Sequence, residues 1–309
     1  MRRCLMNRRK FVKDLLFWSA GLGMPIPVLD ISMAFAAPPV PDVVVAEGRP
    51  YDRLTRLAVE AAGGIDAFVK KGARVVIKPN IGWDRGPEMA ANTHPDVVRA
   101  LAELALDAGA AEIKIFDRTC NEKRRCYVNS GIKDEIEKLG DRRVRLEHID
   151  KRKFVPVKIK KGQSLTEWEI YRDALDADCY INVPVAKHHG LSGLTLGLKN
   201  SMGVIGGNRG RLHFNLGQKL ADLATVLRPD LTIIDATRML LRNGPQGGRE
   251  SDVKVADTLI ATADPVAADA YATTLFDMEP EEIESTEAAY RMGLGEMDPA
   301  RMRISKIRA

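Results

Sequence analysis

Arg74-Val75-Val76-Ile77, then Pro95-Asp96-Val97-Val98-Arg99-Ala100-Leu101-Ala102-Glu103-Leu104-Ala105-Leu106-Asp107, then Glu112-Ile113-Lys114-Ile115-Phe116: a β-branched run, a helical pattern and a second β-branched run follow one another. Thr93-His94-Pro95 puts a capping side chain and a proline at the start of the helical pattern, and Gly109 stands just past its end. Two strand patterns joined by a helix of this length read as parallel strands with a crossover connection. The same alternation runs outward in both directions. Strands are expected at 43–46, 144–148, 154–159, 179–183, 231–234, 258–262 and 302–304, and helices at 51–69, 132–139, 194–202, 216–227, 265–276 and 281–292. The expected fold is α/β, a mostly parallel or mixed sheet flanked by helices in a single large domain over residues 37–309.

Residues 1–36 have the layout of an export signal. Arg2, Arg3, Arg8, Arg9, Lys10 and Lys13 precede an apolar run from Leu15 that ends in Ala34-Phe35-Ala36, and Asn7-Arg8-Arg9-Lys10-Phe11-Val12-Lys13 resembles the twin-arginine export motif. The reading implies the twin-arginine translocase as a partner during export and a periplasmic or otherwise exported location. An uncleaved membrane anchor is the alternative, which Pro25, Pro27 and Asp30 weaken. The segment holds six of the 47 basic residues and two of the 42 acidic ones, so the rest of the chain has a net charge of about +1. Nucleic-acid binding, which needs a basic surface to displace counterions, is excluded on that balance.

Several expected strands end in, or are followed by, polar residues. These are Lys78 and Asn80, Asp117, Asn182, Asp235, and Asp264. In an open parallel sheet such ends share one edge, where ligands bind. Asp264 before Pro265 reads as a helix cap, whereas Asp117 reads equally well as cap or site residue.

A sharper signal lies between Lys187 and His213. These 27 residues contain no aspartate or glutamate but two lysines, two arginines, three of the chain's five histidines and seven glycines. Glycines let backbone amides approach a ligand, and a basic neighbourhood without acids attracts an oxyanion. A basic surface loop is the plainer reading. The glycine spacing is neither a dinucleotide fingerprint nor a P-loop. The histidines open a further possibility, in which His94, His188 and His213 converge on a divalent metal ion. Alternatively one imidazole is a general acid or base.

Beyond residue 36 the cysteines are Cys120, Cys126 and Cys179. An oxidising compartment allows a bridge between Cys120 and Cys126. Cys179, inside a strand pattern, reads as a buried thiol. No cysteine spacing suits an iron-sulfur cluster.

Taken together, several segments resemble a known family, the domain of unknown function 362, over about Arg74 to Phe276. They are Val76-Ile77-Lys78-Pro79-Asn80, Thr93 to Leu101 with Ala108-Gly109-Ala110, Asn182-Val183-Pro184-Val185-Ala186-Lys187-His188-His189-Gly190, Gly197-Leu198-Lys199-Asn200-Ser201-Met202-Gly203, Ala221-Asp222-Leu223, Pro229 to Asp235, and Ala263 to Asp269. The resemblance implies an α/β fold and a shared site, and no particular reaction. Members often occur beside ferredoxin-type modules. This chain lacks the cysteine-rich module, which weighs against direct electron transfer.

Two functions follow as expectations. In the first, an enzyme takes a small anionic substrate: Lys187, Lys199 and Arg209 hold the anion, and Lys187, His188 and His189 form the catalytic set. Lys78, Asn80, Asn182, Asn200 and Asp235 orient the ligand. In the second, a non-catalytic accessory protein binds metal or ligand and serves an iron-sulfur or other redox protein.

Overall fold

Alternation along the central strands sets the layers. The computed structural model describes residues 40–309, so the signal expected over residues 1–36, its arginine pair and the anchor alternative lie outside the described residues. The described chain opens with β1 (Val43–Glu47), α1 (Tyr51–Ala61) and the single turn α2 (Ile65–Phe68). It continues through β2 (Arg74–Pro79), α3 (Pro95–Asp107), β3 (Glu112–Ile115), α4 (Lys123–Asn129), α5 (Ile132–Glu137) and β4 (Val144–Leu146). A separate hairpin, β5 (Phe154–Lys158) and β6 (Glu167–Tyr171), leads through α6 (Arg172–Leu175) to β7 (Cys179–Val183), β8 (Val185–His189) and β9 (Gly193–Thr195). Then come α7 (Gly197–Asn200), α8 (Leu216–Ala224), β10 (Leu231–Leu240), β11 (Val253–Thr262), α9 (Pro265–Thr274), α10 (Glu284–Arg291) and β12 (Ile304–Arg308).

Ten of these strands form one sheet in the order β12-β1-β11-β10-β7-β2-β3-β4, with β8 added against β10 and β9 against β8. Pairing is parallel from β10 through β7, β2 and β3 to β4, and antiparallel where β11 meets β10 and β1. This is the mixed α/β sheet that the alternation implied. Val75 and Ile77 of β2 pack with Ile113, Ile181 and Ile233 beneath Leu54 of α1 and Leu101 of α3. Val76, one residue out of phase, faces the other way, with Tyr180, Ile170 of the hairpin and Leu220 of α8. Ile234 and Ile260 pack against Val266 and Ala267 of α9. Side chains buried on both faces of the sheet explain why the central strands read as continuous apolar runs.

Several boundaries differ from expectation for identifiable reasons. The helix expected over 51–69 stops at Ala61, because Gly63 and Gly64 take φ of 113° and 80° and turn the chain out of the helix. The helix expected over 194–202 is instead β9, the single turn α7 and a 3-10 turn, Ser201–Val204. Its first backbone amides, Gly197 and Leu198, donate to the Asp269 carboxylate of α9 at 2.6 and 2.9 Å, a tertiary contact that overrides the local helical pattern. β10 and β11 run to ten residues each by pairing with one another. The last strand, expected at 302–304, begins at Ile304, where it pairs with β1. Helices α4 and α6 and strands β6, β8 and β9 are additions to the expected elements.

Candidate functional site

The carboxyl ends of β2 and β3 meet the segment after β8 in a cleft of about 360 Å³. Its floor is a buried ion pair. Lys78 Nζ lies 3.0 Å from Asp117 Oδ1, and the two side chains are only 1% and 4% exposed. The Asp117 oxygen makes a charge contact there without an aligned hydrogen bond, while Oδ2 accepts from the Ile81 backbone amide at 2.7 Å. Lys78 also donates to Asn200 Oδ1 at 2.6 Å. Asn200 in turn donates to the Lys78 carbonyl at 3.1 Å and to Asn182 Oδ1 at 2.8 Å, and Asn182 donates to the Gly197 carbonyl at 3.0 Å. Lys78 and Asn182 from the strand ends and Asn200 from α7 thus form a closed polar network, in which each buried group has a partner. Burial pulls the Lys78 pKa down and the Asp117 charge pushes it back up.

Two further lysines line the cleft without a carboxylate. Lys187 is 1% exposed and donates to Asn80 Oδ1 at 3.3 Å and to the Ala91 carbonyl. Burial brings it down to about 7, against the opposing pull of Cys120 and Asp117 and with a smaller push from the charges of Lys78 and Lys199. Lys199 faces Met202 Sδ at 3.4 Å, and burial brings it down to about 8. Arg118 and Arg209 complete the positive wall, and each spends donors on backbone carbonyls. Arg118 donates to the carbonyls of Ile205 and Gly207. Arg209 donates to those of Arg118, Met202 and Thr119 and lies 3.9 Å from Cys120 Sγ. Arg209 therefore adds positive field and straps the loop, and supplies fewer direct bonds to an anion than expected. Among the described residues, five cationic side chains and a single carboxylate line the cleft.

The histidines divide by the role of Nδ1. His189 lines the cleft, and its Nδ1 accepts from the Leu191 amide at 3.1 Å. His188 does the same with the Gly244 amide at 3.1 Å and is not a cleft residue, and His94 Nδ1 caps α3 by accepting from Asp96. A neutral ring whose Nδ1 accepts carries its proton on Nε2 and has no lone pair left for a base or a metal. Burial, with the charges of Lys199 and Lys187, takes His189 down to about 3, so it stays neutral. His213, at the cleft rim, is the reverse case: its Nδ1 faces the Gly210 carbonyl at 3.2 Å and must donate, which frees Nε2. The expected metal triad of His94, His188 and His213 is corrected accordingly. Metal-bound histidine normally donates its second nitrogen, whereas two of these three accept there. Among the described residues no group of three or more His, Cys, Asp or Glu side chains is placed to hold a metal ion.

Other expectations shift as well. Asp235 lies within the long β10 and accepts from the His94 amide at 2.6 Å and from Thr237, so it braces α3 and does not face the cleft. Asp264 caps α9, and because β11 runs antiparallel to β10 it belongs to the opposite sheet edge. Cys120 and Cys126 are not bridged. Cys120 opens on the cleft, while Cys126 is buried on α4 with its thiol facing the Gly82 carbonyl at 3.7 Å. Cys179 is a buried thiol in β7. Trp83, Arg118, Cys120 and Gly203 are cleft residues that sequence reasoning did not select. Only the acid-free segment, for Gly203, held a signal for any of them.

With this geometry in place, comparison with known proteins fixes the family. A family model described as "Domain of unknown function (DUF362)" matches residues 75–274. The chain belongs to this family. Every lysine and histidine of the cleft described above lies within the DUF362 match. A thylakoid-associated protein of Synechocystis sp. (strain ATCC 27184 / PCC 6803 / Kazusa) is 28% identical over 254 residues, which covers 77% of this chain and 74% of that protein. A Thermotoga maritima protein of known crystal structure is similar with a TM-score of 0.43 at 12% identity, over 79% of this chain. The chain spans about 60% of the length of that structure.

Proposed function

We propose that this cleft binds a small oxyanion and that the protein is an enzyme acting on a small anionic substrate. The carrying observation is the charge balance: once Lys78 and Asp117 cancel, Lys187, Lys199, Arg118 and Arg209 surround the cavity without a carboxylate. Burial without a carboxylate partner brings Lys187 and Lys199 down to about 7 and about 8, and an anion entering the cleft would restore the solvation they have lost, which supports the reading. Lys199 is the direct donor to the anion, Lys187 and His213 exchange protons, and neutral His189 donates from Nε2.

Thermal shift with phosphate, sulfate and small carboxylates tests the reading. Ligand at about 100 times its Kd is expected to stabilise the wild type by roughly 2.7 kcal/mol, and Lys199→Met or Lys187→Ala to lose most of that gain. Equal, small shifts in all three proteins would exclude the anion site.

A further inference from the structure

We infer that Lys187 is an amine nucleophile and that the cleft takes a small oxo acid, an anion with a ketone or aldehyde carbonyl, which it holds as an imine. This rests on the anion-cleft reading and adds a substrate class and a covalent step.

The three cleft lysines have different surroundings, and the difference selects one of them. Lys78 is clamped by Asp117 at 3.0 Å and by Asn200 at 2.6 Å, partners that favour the ammonium form. Lys199 is 8% exposed and has the Met202 sulfur as a neighbour, which suits a charge that meets an incoming carboxylate. Lys187 is buried along its whole length, has no carboxylate partner, and finds two neutral acceptors, Asn80 Oδ1 at 3.3 Å and the Ala91 carbonyl. A neutral amine has two N–H bonds and one lone pair. The two acceptors take both N–H bonds, which leaves the lone pair for the cavity that Lys187 lines. An ammonium there would carry a third N–H that finds no acceptor among the described residues, and would sit near the charges of Lys78 and Lys199, which the Asp117 carboxylate only partly offsets through its own pair with Lys78. Trp83, whose ring centre is 6.0 Å from Lys187 Nζ, closes that end of the cleft with an aromatic face. Desolvated lysines beside other cations are the kind that add to carbonyls.

The step balances without an oxidant or reductant. Lys187 Nζ attacks the carbonyl carbon and the C=O π pair moves to oxygen. A proton passes from nitrogen to that oxygen, giving a carbinolamine. The hydroxyl takes up a further proton, and the nitrogen lone pair expels it as water to form a C=N–H iminium. The iminium returns that proton on becoming the neutral imine, and hydrolysis reverses the sequence. His213 Nε2, left free by the Nδ1 contact with Gly210, is the group suited to carry the proton.

Trapping tests this directly. The full-length protein is incubated with pyruvate at pH 7, treated with sodium borohydride, digested and mapped by tandem mass spectrometry, with a parallel thermal shift in pyruvate and in phosphate. The expected result is one reduced adduct per chain, on Lys187, at least about tenfold above any surface lysine, since an ordinary lysine is almost wholly protonated at that pH. Excess phosphate should suppress it, and Lys187→Arg should remove it. Because the map is made on the wild type, the conclusion does not depend on that variant folding. Thermal stabilisation without an adduct on Lys187 would overturn the imine and leave the anion cleft standing. Neither stabilisation nor adduct would overturn both, and adducts scattered over exposed lysines would overturn the imine.

Discussion

Gly203→Ala is expected to cost roughly 3 kcal/mol or more in stability and to abolish the anion-induced thermal shift. A Cβ at this position would sit 1.8 Å from Asp117 Oδ1 and 2.5 Å from Lys78 Nζ. Both side chains are buried and hydrogen-bonded to the backbone or to Asn200, so neither can step aside without breaking the pair. Separating a buried ion pair leaves charges without compensation, which costs far more than the added methyl group could return. Gly190→Ala is the matched control within the same acid-free segment, because a Cβ there meets nothing within 4 Å. Its stability should stay within about 0.5 kcal/mol of wild type. Urea unfolding of the two variants reads the difference, and a Gly203→Ala protein as stable as Gly190→Ala would mean that the ion pair is not seated as described.

Asp222→Ala should be nearly as damaging, by roughly 3 kcal/mol, for a reason unconnected with the cleft. Asp222 on α8 is wholly buried and accepts from the backbone amides of Gln163, Ser164 and Leu165 at 3.0, 2.7 and 2.8 Å, and from Gln218 Nε2 at 2.9 Å. One carboxylate therefore ties the hairpin turn to the helix. Truncation strands three backbone donors. Asp222→Asn keeps one oxygen for Ser164 and Leu165 but turns an N–H toward Gln163, so an intermediate loss is expected. The same urea series decides it, and an Ala variant no worse than the Asn variant would contradict the tether.

How far the sequence could be read follows from where each signal was local. Helix α3 was legible at both ends because Pro95 and Gly109 mark them within the chain itself, and β7 because Cys179-Tyr180-Ile181 and Val183 give it an apolar run broken only by Asn182. Strand β8 was not, since Lys187-His188-His189 carries no apolar alternation. It exists because β10 extends beyond β7 and offers Asp235 and Leu240 as partners. The acid-free composition of 187–213 together with the polar strand ends pointed to one place. The structure does bring Lys78, Asn80, Lys187, His189, Lys199, Asn200, Arg209 and His213 into one cleft. Their division of labour was hidden. Whether an imidazole offers a lone pair depends on backbone neighbours such as Leu191 and Gly244, and Arg209 is spent on carbonyls whose positions only the fold determines.

The most direct measurement of the central claim is a crystal structure grown in phosphate. The expected result is a phosphate in the cleft within hydrogen-bond reach of Lys199 Nζ, above the intact Lys78 and Asp117 pair. A cleft holding only water at saturating phosphate, with the anion seated on surface lysines, would contradict it.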